Sequence, residues 1–423
     1  MSLRGGLTSM AAKVTKKIIK LISFALIGII LISVIADFRA DMYVKSGGGG
    51  KNSEEPRDNG QAQTVQQTPS GNQISTSNAT SGSNVVNVNN FVYANNTGVV
   101  NNTTGLLPGT QSINPLTGKV TANNNAQNRP VAVSISNQRG ALPTNAVNGI
   151  SDADIVYEFL IEGGGTRFIG IFQNFINAGV VGSIRSARHY MVELAESYDA
   201  LFIHAGGSPL GFEEIDTRGI TAFDAVRGIR AQIFNKDVNR VPGHTVLDYH
   251  GQTTSGALFS KYLPSYDIRV THPDRFAQAL FFTDNPIPSG SRAHNVTARF
   301  SSAKNSTFTY DNAQNLYYMN QYGSQLTDAN NNAPVAFTNL LILEIPIADL
   351  VGHGEGAGRQ DMSTVGIGDG YFVSAGRHIE IIWFRPDKSS QFIYADANGD
   401  IIDFGRGKTY IAIVPEGADI IIN

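Results

Sequence analysis

RPVAVSISN, residues 129–137, is the stretch on which the reading of the fold turns. Val131, Val133 and Ile135 are β-branched and recur at every second position, the period of a strand. Before it lies a long run of Asn, Ser, Gly, Thr and Gln; after it, apolar segments alternate between strand and helix patterns. A globular part is therefore expected to begin at Arg129. The spacing predicts a helix over 152–162, strands over 167–175 and 180–185, a helix over 187–198 and a strand over 200–204. One more helical stretch is expected over 251–263. Strands then predominate, as in STFTYDNAQNLYYMN (306–320), NLLILEIP (339–346) and TYIAIVP (409–415). Asp311-Asn312 and Asn398-Gly399 are placed as hairpin turns, the second suiting a type I′ turn, which needs positive φ twice. The expected fold class is α+β: a mixed α/β domain over 129–284, followed by a smaller β-rich domain over 285–423.

Toward the N-terminus, IIKLISFALIGIILISVIA (18–36) is uninterruptedly apolar from Leu21 to Ala36. At a rise of about 1.5 Å per residue it spans roughly 28 Å as a helix, close to the hydrocarbon thickness of a bilayer. Lys13, Lys16, Lys17 and Lys20 precede the run, while Asp37, Arg39, Asp41 and Lys45 follow it with balanced charge. The positive-inside rule then makes residues 1–17 cytoplasmic and everything after Ala36 extracytoplasmic. The expectation is a single-pass protein of the cell membrane, held by a transmembrane helix from Ile18 to Ala36. A cleaved signal peptide shares the charged start and apolar middle, and it too leaves the remainder exported. Residues 37–128 are expected to be a disordered linker, because so few apolar side chains cannot offset the entropy of ordering.

Composition narrows the chemistry. The 423 residues carry 32 basic and 35 acidic side chains, a net charge of −3, so no global field recruits nucleic acid. Cysteine is absent, which removes disulfides, thiolate metal sites, thiol nucleophiles and a lipid-modified cysteine. The eight histidines form no His-Glu-x-x-His, and no Gly-x-x-x-x-Gly-Lys-Ser/Thr occurs. Neither a metal nor a cofactor is expected. Ser301-Ser302-Ala303-Lys304 matches Ser-x-x-Lys in form, but the pattern places it on a strand rather than at a helix start.

RPVAVSISN, ADIVYEFLIEGGGTRFIGIF (153–172), VGSIRSARHY (181–190), ESYDALFIHAGGSPLGFEEI (196–215) and PGHTVLD (242–248) resemble the YerB-like family of bacterial surface lipoproteins, domain of unknown function 3048. GIGDGYFVSAGRHIEIIWFRP (366–386) and DANGDIIDFGRGKTYIAIVP (396–415) are similar to that family's second domain. The resemblance covers about Arg129 to Asn423. It implies a cell-envelope protein with no established activity. The chain departs from the family in having an apolar helix in place of the lipidated cysteine, and TDANNNAPVAF (327–337) where relatives carry a His-rich turn.

The richest constellation for binding is Gly182 to His189, at a predicted strand-to-helix junction. Amides at a helix N-terminus carry partial positive charge, Ser186 can cap them, and Arg185 and Arg188 can each grip a carboxylate or phosphate. Equally, Ser186 can be an ordinary cap and the arginines partners of nearby carboxylates. In a second cluster, His204 ends a strand and Gly206 and Gly207 form a turn that would let a ligand approach the backbone. Ser208 is expected to cap the next helix, since Pro209 lacks the N–H that an oxyanion hole behind a nucleophilic serine requires. His204 reads either as a ligand contact or as a core histidine. His244, in the loop Pro242-Gly243-His244-Thr245, reads as a general base or hydrogen-bond donor, or as a solvated loop residue. Glu158 and Glu162, one turn apart on the predicted helix, read as paired carboxylates or as a plain helix end. Convergence of His204 and His244 near Arg185 and Arg188 is the expectation that an enzyme would require.

The function expected from these features is binding of a polar or anionic cell-wall-associated ligand outside the membrane. The alternatives are a scaffold that binds envelope proteins, and a hydrolase or transferase acting on a wall polymer. The sequence leaves open whether the chain is an enzyme, because it contains no complete set of nucleophile, base and orienting group that can be named.

Overall fold

The computed structural model describes residues 112–121, 126–273, 276, 279–287, 289–352, 354, 356 and 358–423. The apolar segment Ile18–Ala36 and most of the stretch read as a linker lie outside the described residues. Among the described residues no helix is long and apolar enough to cross a membrane.

The described chain is dominated by strands. Its main sheet has eleven strands. The first half of the chain supplies β1 (Val131–Ser136), β2 (Ile155–Leu160), β3 (Thr166–Phe172), β5 (Leu201–His204) and β6 (Ala222–Asp224). A short β4 (Val180–Gly182) instead pairs with β7 (Gln252–Ser255) in a separate three-stranded sheet. The α-helices described are α1 (His189–Ser197), α2 (Pro209–Thr217) and α3 (Gly256–Tyr262). The second half supplies β8 (Asn295–Arg299), β9 (Asn305–Asp311), β10 (Leu316–Gln321), β11 (Asn339–Ile345), β12 (Gly366–Ser374), β13 (Arg377–Arg385), β14 (Thr409–Pro415) and β15 (Ile420–Ile422).

The main sheet runs across position 284. Its order is Ser291–Arg292, β13, β12, β11, β14, β2, β3, β1, β5, β6, and the eleventh strand, Ile393–Ala395, lies off this path, paired with β13. β14 pairs in parallel with both β11 and β2, with Ile411 opposite Leu341 on one side and Tyr157 on the other. Strands from the two ends of the chain therefore share one core, and the division expected at 284/285 does not separate two sheets. β8, β9, β10 and β15 belong to a second, antiparallel sheet.

Burial explains why β2 forms where a helix over 152–162 was expected. Every residue from Ile155 to Leu160 is buried, because both faces of the strand are covered. Tyr157 and Phe159 meet Tyr198 and Tyr190 on and just after α1, with Phe159 and Tyr190 ring centroids 5.3 Å apart. Glu158, on the opposite face, meets Ser306 of β9 and Tyr410 of β14. A strand buried on two sides loses the period-two signal, and its apolar run is then easily taken for helix. Ile, Val, Tyr and Phe favour the pleated surface.

Three further expectations are corrected. The stretch expected to be helical over 251–263 begins as β7, and α3 starts only at Gly256, where the Ser255 hydroxyl accepts from the Leu258 amide at 3.2 Å. In the turn at Asn398-Gly399 only Gly399 has positive φ, +88°, so it is not type I′. The folded part also begins before Arg129. Ser112–Ile113 pairs with Val120–Thr121, Leu116 is fully buried, and Asn114 donates to Asp154 at 2.9 Å. Gly118 fits only because it has no side chain: a Cβ there would lie 2.4 Å from the Phe282 ring, and its φ is +65°. Protease added to intact, wall-stripped cells should therefore release a stable fragment whose N-terminus lies at or before Ser112, by mass spectrometry. A fragment starting at Arg129 would mean that this hairpin does not hold.

Candidate functional site

The arginine-bearing junction is built by backbone pairing. Residues 183–185 lie along β1, with the Ser136 amide donating to the Ser183 carbonyl at 2.8 Å and the Arg185 amide to the Ser134 carbonyl at 2.9 Å. On the other side the Ile184 amide donates to the Gln252 carbonyl at 2.8 Å. In register, Ser136 of β1 faces Arg167 of β3, so both side chains stand on one face. The Ser186 carbonyl accepts from Arg167 Nη1 at 2.6 Å and from the Ser134 hydroxyl at 3.3 Å. Arg188 grips Glu162 from Nε at 2.8 Å and from Nη2 at 2.6 Å, and Arg359 Nε lies 3.3 Å from the same carboxylate.

Positive charge is concentrated here. Arg167 is 3 % exposed, and burial pushes its pKa down to about 9, with repulsion from Arg188 and Arg185 adding to the shift. Burial and the Arg188 charge also lower Arg185, which packs over the Tyr249 ring and donates to the Tyr249 carbonyl at 2.9 Å. For Glu162, burial works to raise the pKa, but Arg188 and Arg167 hold the carboxyl below its ordinary value. Five buried atoms around the junction have no hydrogen-bond partner among the described residues: Arg167 Nε, Arg185 Nε, the hydroxyls of Ser136 and Ser183, and His250 Nδ1. Burial, together with Arg185 and Arg240, pushes the His250 imidazole down to about 4, so it is neutral at pH 7.

Of the second cluster, Gly206, Gly207 and Ser208 come next to the junction. The Ala187 amide donates to the Gly206 carbonyl at 2.9 Å and the Ser208 amide to the Ala187 carbonyl at 3.1 Å. Both segments thus meet at the carboxyl ends of the parallel strands β1 and β5. Ser208 caps α2, accepting from the Gly211 amide at 3.0 Å with Pro209 at the first helical position. Gly207 makes room for the Phe212 ring rather than for a ligand, since a Cβ there would sit 3.1 Å from it.

Other expectations are corrected. Ser186 does not cap α1; the N-cap is Arg188, whose side chain makes no capping bond to the helix amides, because Ala187 is held in a bridge with Gly207 and the helix starts two residues late. His204 is 1 % exposed, stacks on Phe202, bonds the Gly206 carbonyl through Nδ1 at 2.8 Å and lies 3.9 Å from Asp224. Burial lowers its pKa, with Asp224 opposing. His244 is exposed on a turn closed by its own amide to the Val241 carbonyl. Among the described residues the two histidines share no hydrogen-bond partner: His204 is buried at the end of β5, and His244 is exposed on its turn. Glu158 and Glu162 do not pair on a helix. Glu158 is fully buried on β2, whereas Glu162 sits on the following turn beside the arginines.

Glu162 also edges a cleft of about 340 Å³, with Arg139, Lys304 and Tyr322 among its lining. Lys304 ends the turn Phe300–Lys304, not a strand, and its ammonium lies 3.0 Å from Glu158 beneath the cleft. Arg167 and His250 were not singled out by sequence reasoning, and Lys304 was met only as the end of a Ser-x-x-Lys match placed on a strand. Only register and tertiary pairing bring them to these positions. Among the described residues no group of three or more His, Asp or Glu side chains is placed to hold a metal ion.

A strand-dominated α+β protein with an arginine-rich strand junction is the class that fold and site define. Sequence profiles of one family match it twice: the protein of unknown function (DUF3048) N-terminal domain over residues 116–257, and its C-terminal domain over 296–411. The chain belongs to this DUF3048 family, and is YerB-like. It is 28 % identical over 305 residues to the protein named "Putative lipoprotein YerB" of Bacillus subtilis (strain 168), covering 71 % of this chain and 86 % of that one. The crystal structure of the Bacillus subtilis YerB protein superposes with a TM-score of 0.60 at 28 % identity, covering 73 % of this chain and 98 % of that one.

Proposed function

We propose that this is a membrane-tethered, extracytoplasmic protein of the cell envelope that binds an anionic, wall-associated ligand at the arginine junction. One observation carries the reading. Arg188 and Arg359 share the Glu162 carboxylate, while Arg167 and Arg185 make no direct ion pair with a carboxylate among the described residues and each keeps an unpartnered Nε. A site with guanidinium charge in excess, partly withdrawn from water, favours a carboxylate or phosphate gripped by charge-assisted hydrogen bonds. The relative carries the name "Putative lipoprotein YerB". This chain has no cysteine to lipidate, so the apolar segment Ile18–Ala36 takes the anchoring role.

The test is co-sedimentation with purified peptidoglycan. An Arg185→Ala/Arg188→Ala variant should bind about tenfold or more weakly, the loss expected for hydrogen bonds to charged groups. Undiminished binding would remove these residues from the account. Crosslinking in living cells that captured a protein partner, with no affinity for wall material, would favour a scaffold instead.

A further inference from the structure

The second sheet turns one face to solvent, and that face has a composition of its own. Along β8, β9 and β10 burial alternates strictly: Val296, Ala298, Ser306, Phe308, Tyr310, Tyr317 and Met319 point inward, and the residues between them point outward. Register aligns the outward side chains into two rows across the strands. One row is Asn295, Thr309, Tyr318 and Ala336; the other is Thr297, Thr307, Asn320 and Gln325. Thr309, Tyr318, Asn320 and Gln325 line a shallow groove of about 560 Å³ that ends at Asp311 and Asn312.

The charges on β8, β9 and β10 of this face are already engaged. Arg299 pairs with Asp419 at 3.2 Å, and Asp311 Oδ1 accepts the amides of Ala313 and Gln314 in its own turn. What is left is a row of amides and hydroxyls beside one outward-facing aromatic ring, Tyr318; Tyr310, which also borders the groove, points inward and donates to Asn315. Among the described residues the Tyr318 hydroxyl and the Gln325 amide have no hydrogen-bond partner inside the protein.

This chemistry selects its occupant by exclusion and by fit. Among the described residues, β8, β9 and β10 present no unpaired basic side chain on this face for a phosphate backbone or another polyanion. One aromatic ring amid threonines and amides is too little apolar surface for the core of a protein interface. Amide and hydroxyl groups offer both donors and acceptors, which is what a polyhydroxylated, uncharged ligand needs. A half-exposed tyrosine adds an apolar ring face with a polar tip. Rows that step from strand to strand by about 4.8 Å advance by close to the length of one pyranose ring. We infer that the groove over Thr309, Tyr318, Asn320 and Gln325 is a binding site for an uncharged oligosaccharide chain lying across the strands, separate from the arginine junction.

The experiment is calorimetric titration of the full chain in detergent with chitohexaose, a probe without charge. Its outcome is therefore independent of whether the arginine junction binds an anion. Saturable binding is expected, weakened at least tenfold by Tyr318→Ala and by Asn320→Ala, and kept within threefold by Tyr318→Phe, which retains the ring. Urea midpoints of the variants establish that each is folded, as expected for side chains on the solvent face. Absence of saturable binding to the native chain overturns the inference. Binding that survives both alanine replacements in folded protein also overturns it, by placing the sugar elsewhere.

Discussion

Replacing Glu158 by alanine should cost about 3–5 kcal/mol of folding stability, the range for removing one partner of a buried ion pair. Glu158 is wholly buried between the two sheets, where its carboxylate accepts from Asn137 Nδ2 at 2.8 Å, from the Ser306 hydroxyl at 2.8 Å, from the Tyr410 hydroxyl at 2.5 Å and from the Thr166 hydroxyl. Lys304 completes the set at 3.0 Å and donates to Ser306 and Gln321, each at 2.7 Å. Burial lowers the Lys304 pKa, and Glu158 opposes that shift through its charge and its hydrogen bond. Without the carboxylate, an ammonium is left in the core together with several donors that have lost their acceptor. The double replacement Glu158→Leu/Lys304→Met should recover a large part of the loss, because it removes both charges at once. Trp383, the single tryptophan and itself buried, reports the urea midpoint by fluorescence. A loss below about 1 kcal/mol for the single variant would show that the network contributes no more than an ordinary hydrogen bond.

The same carboxylate illustrates where sequence reading stops. β1, α1, β5 and α2 were legible because their signals are local: alternation in RPVAVSISN, a Ser-Pro start before α2, and a four-residue apolar strand before the glycine turn. β2 was not, because its parallel neighbour β14 lies some 250 positions away in the chain and both its faces are covered. Without that neighbour, Glu158 reads as one side of a helical carboxylate pair. The junction was legible as far as Arg185, Arg188 and the nearby glycines, which sit in one short motif. Arg167 reaches the junction only through its register opposite Ser136, and His250 only through the pairing of β7 with β4. Register and long-range pairing are set by the whole core, so neither is visible in a window of residues. The hairpin at 112–121 escaped for the opposite reason: its polar, turn-rich sequence continues the texture of the stretch before it, and only buried Leu116 sets it apart.

Stability should fall on mild acidification, with His250 a principal cause. Its folded-state pKa, about 4, lies below the ordinary value near 6.5, because the ring is buried and faces the guanidiniums of Arg185 and Arg240. Between those two pH values the unfolded chain binds a proton that the folded chain refuses. The stability this group contributes is therefore complete above about pH 6.5 and is lost as the pH falls toward 4, to a total on the order of 3 kcal/mol. The sense is the same for His204, whose pKa burial also lowers. Asp199 acts in a separate, more acid window: hydrogen bonds with Arg269 and His272, with the Arg129 charge, overcome its burial and hold it at about 2, so its contribution is lost only below its ordinary value near 3.8. Urea midpoints followed from pH 7.5 to 4.5 should decline in the native chain and decline less steeply, by about one proton's worth of slope, in a His250→Gln variant. Parallel curves for the two proteins would mean that the imidazole takes up its proton in the folded state, and that Arg185 and Arg240 do not set the potential at this end of the junction.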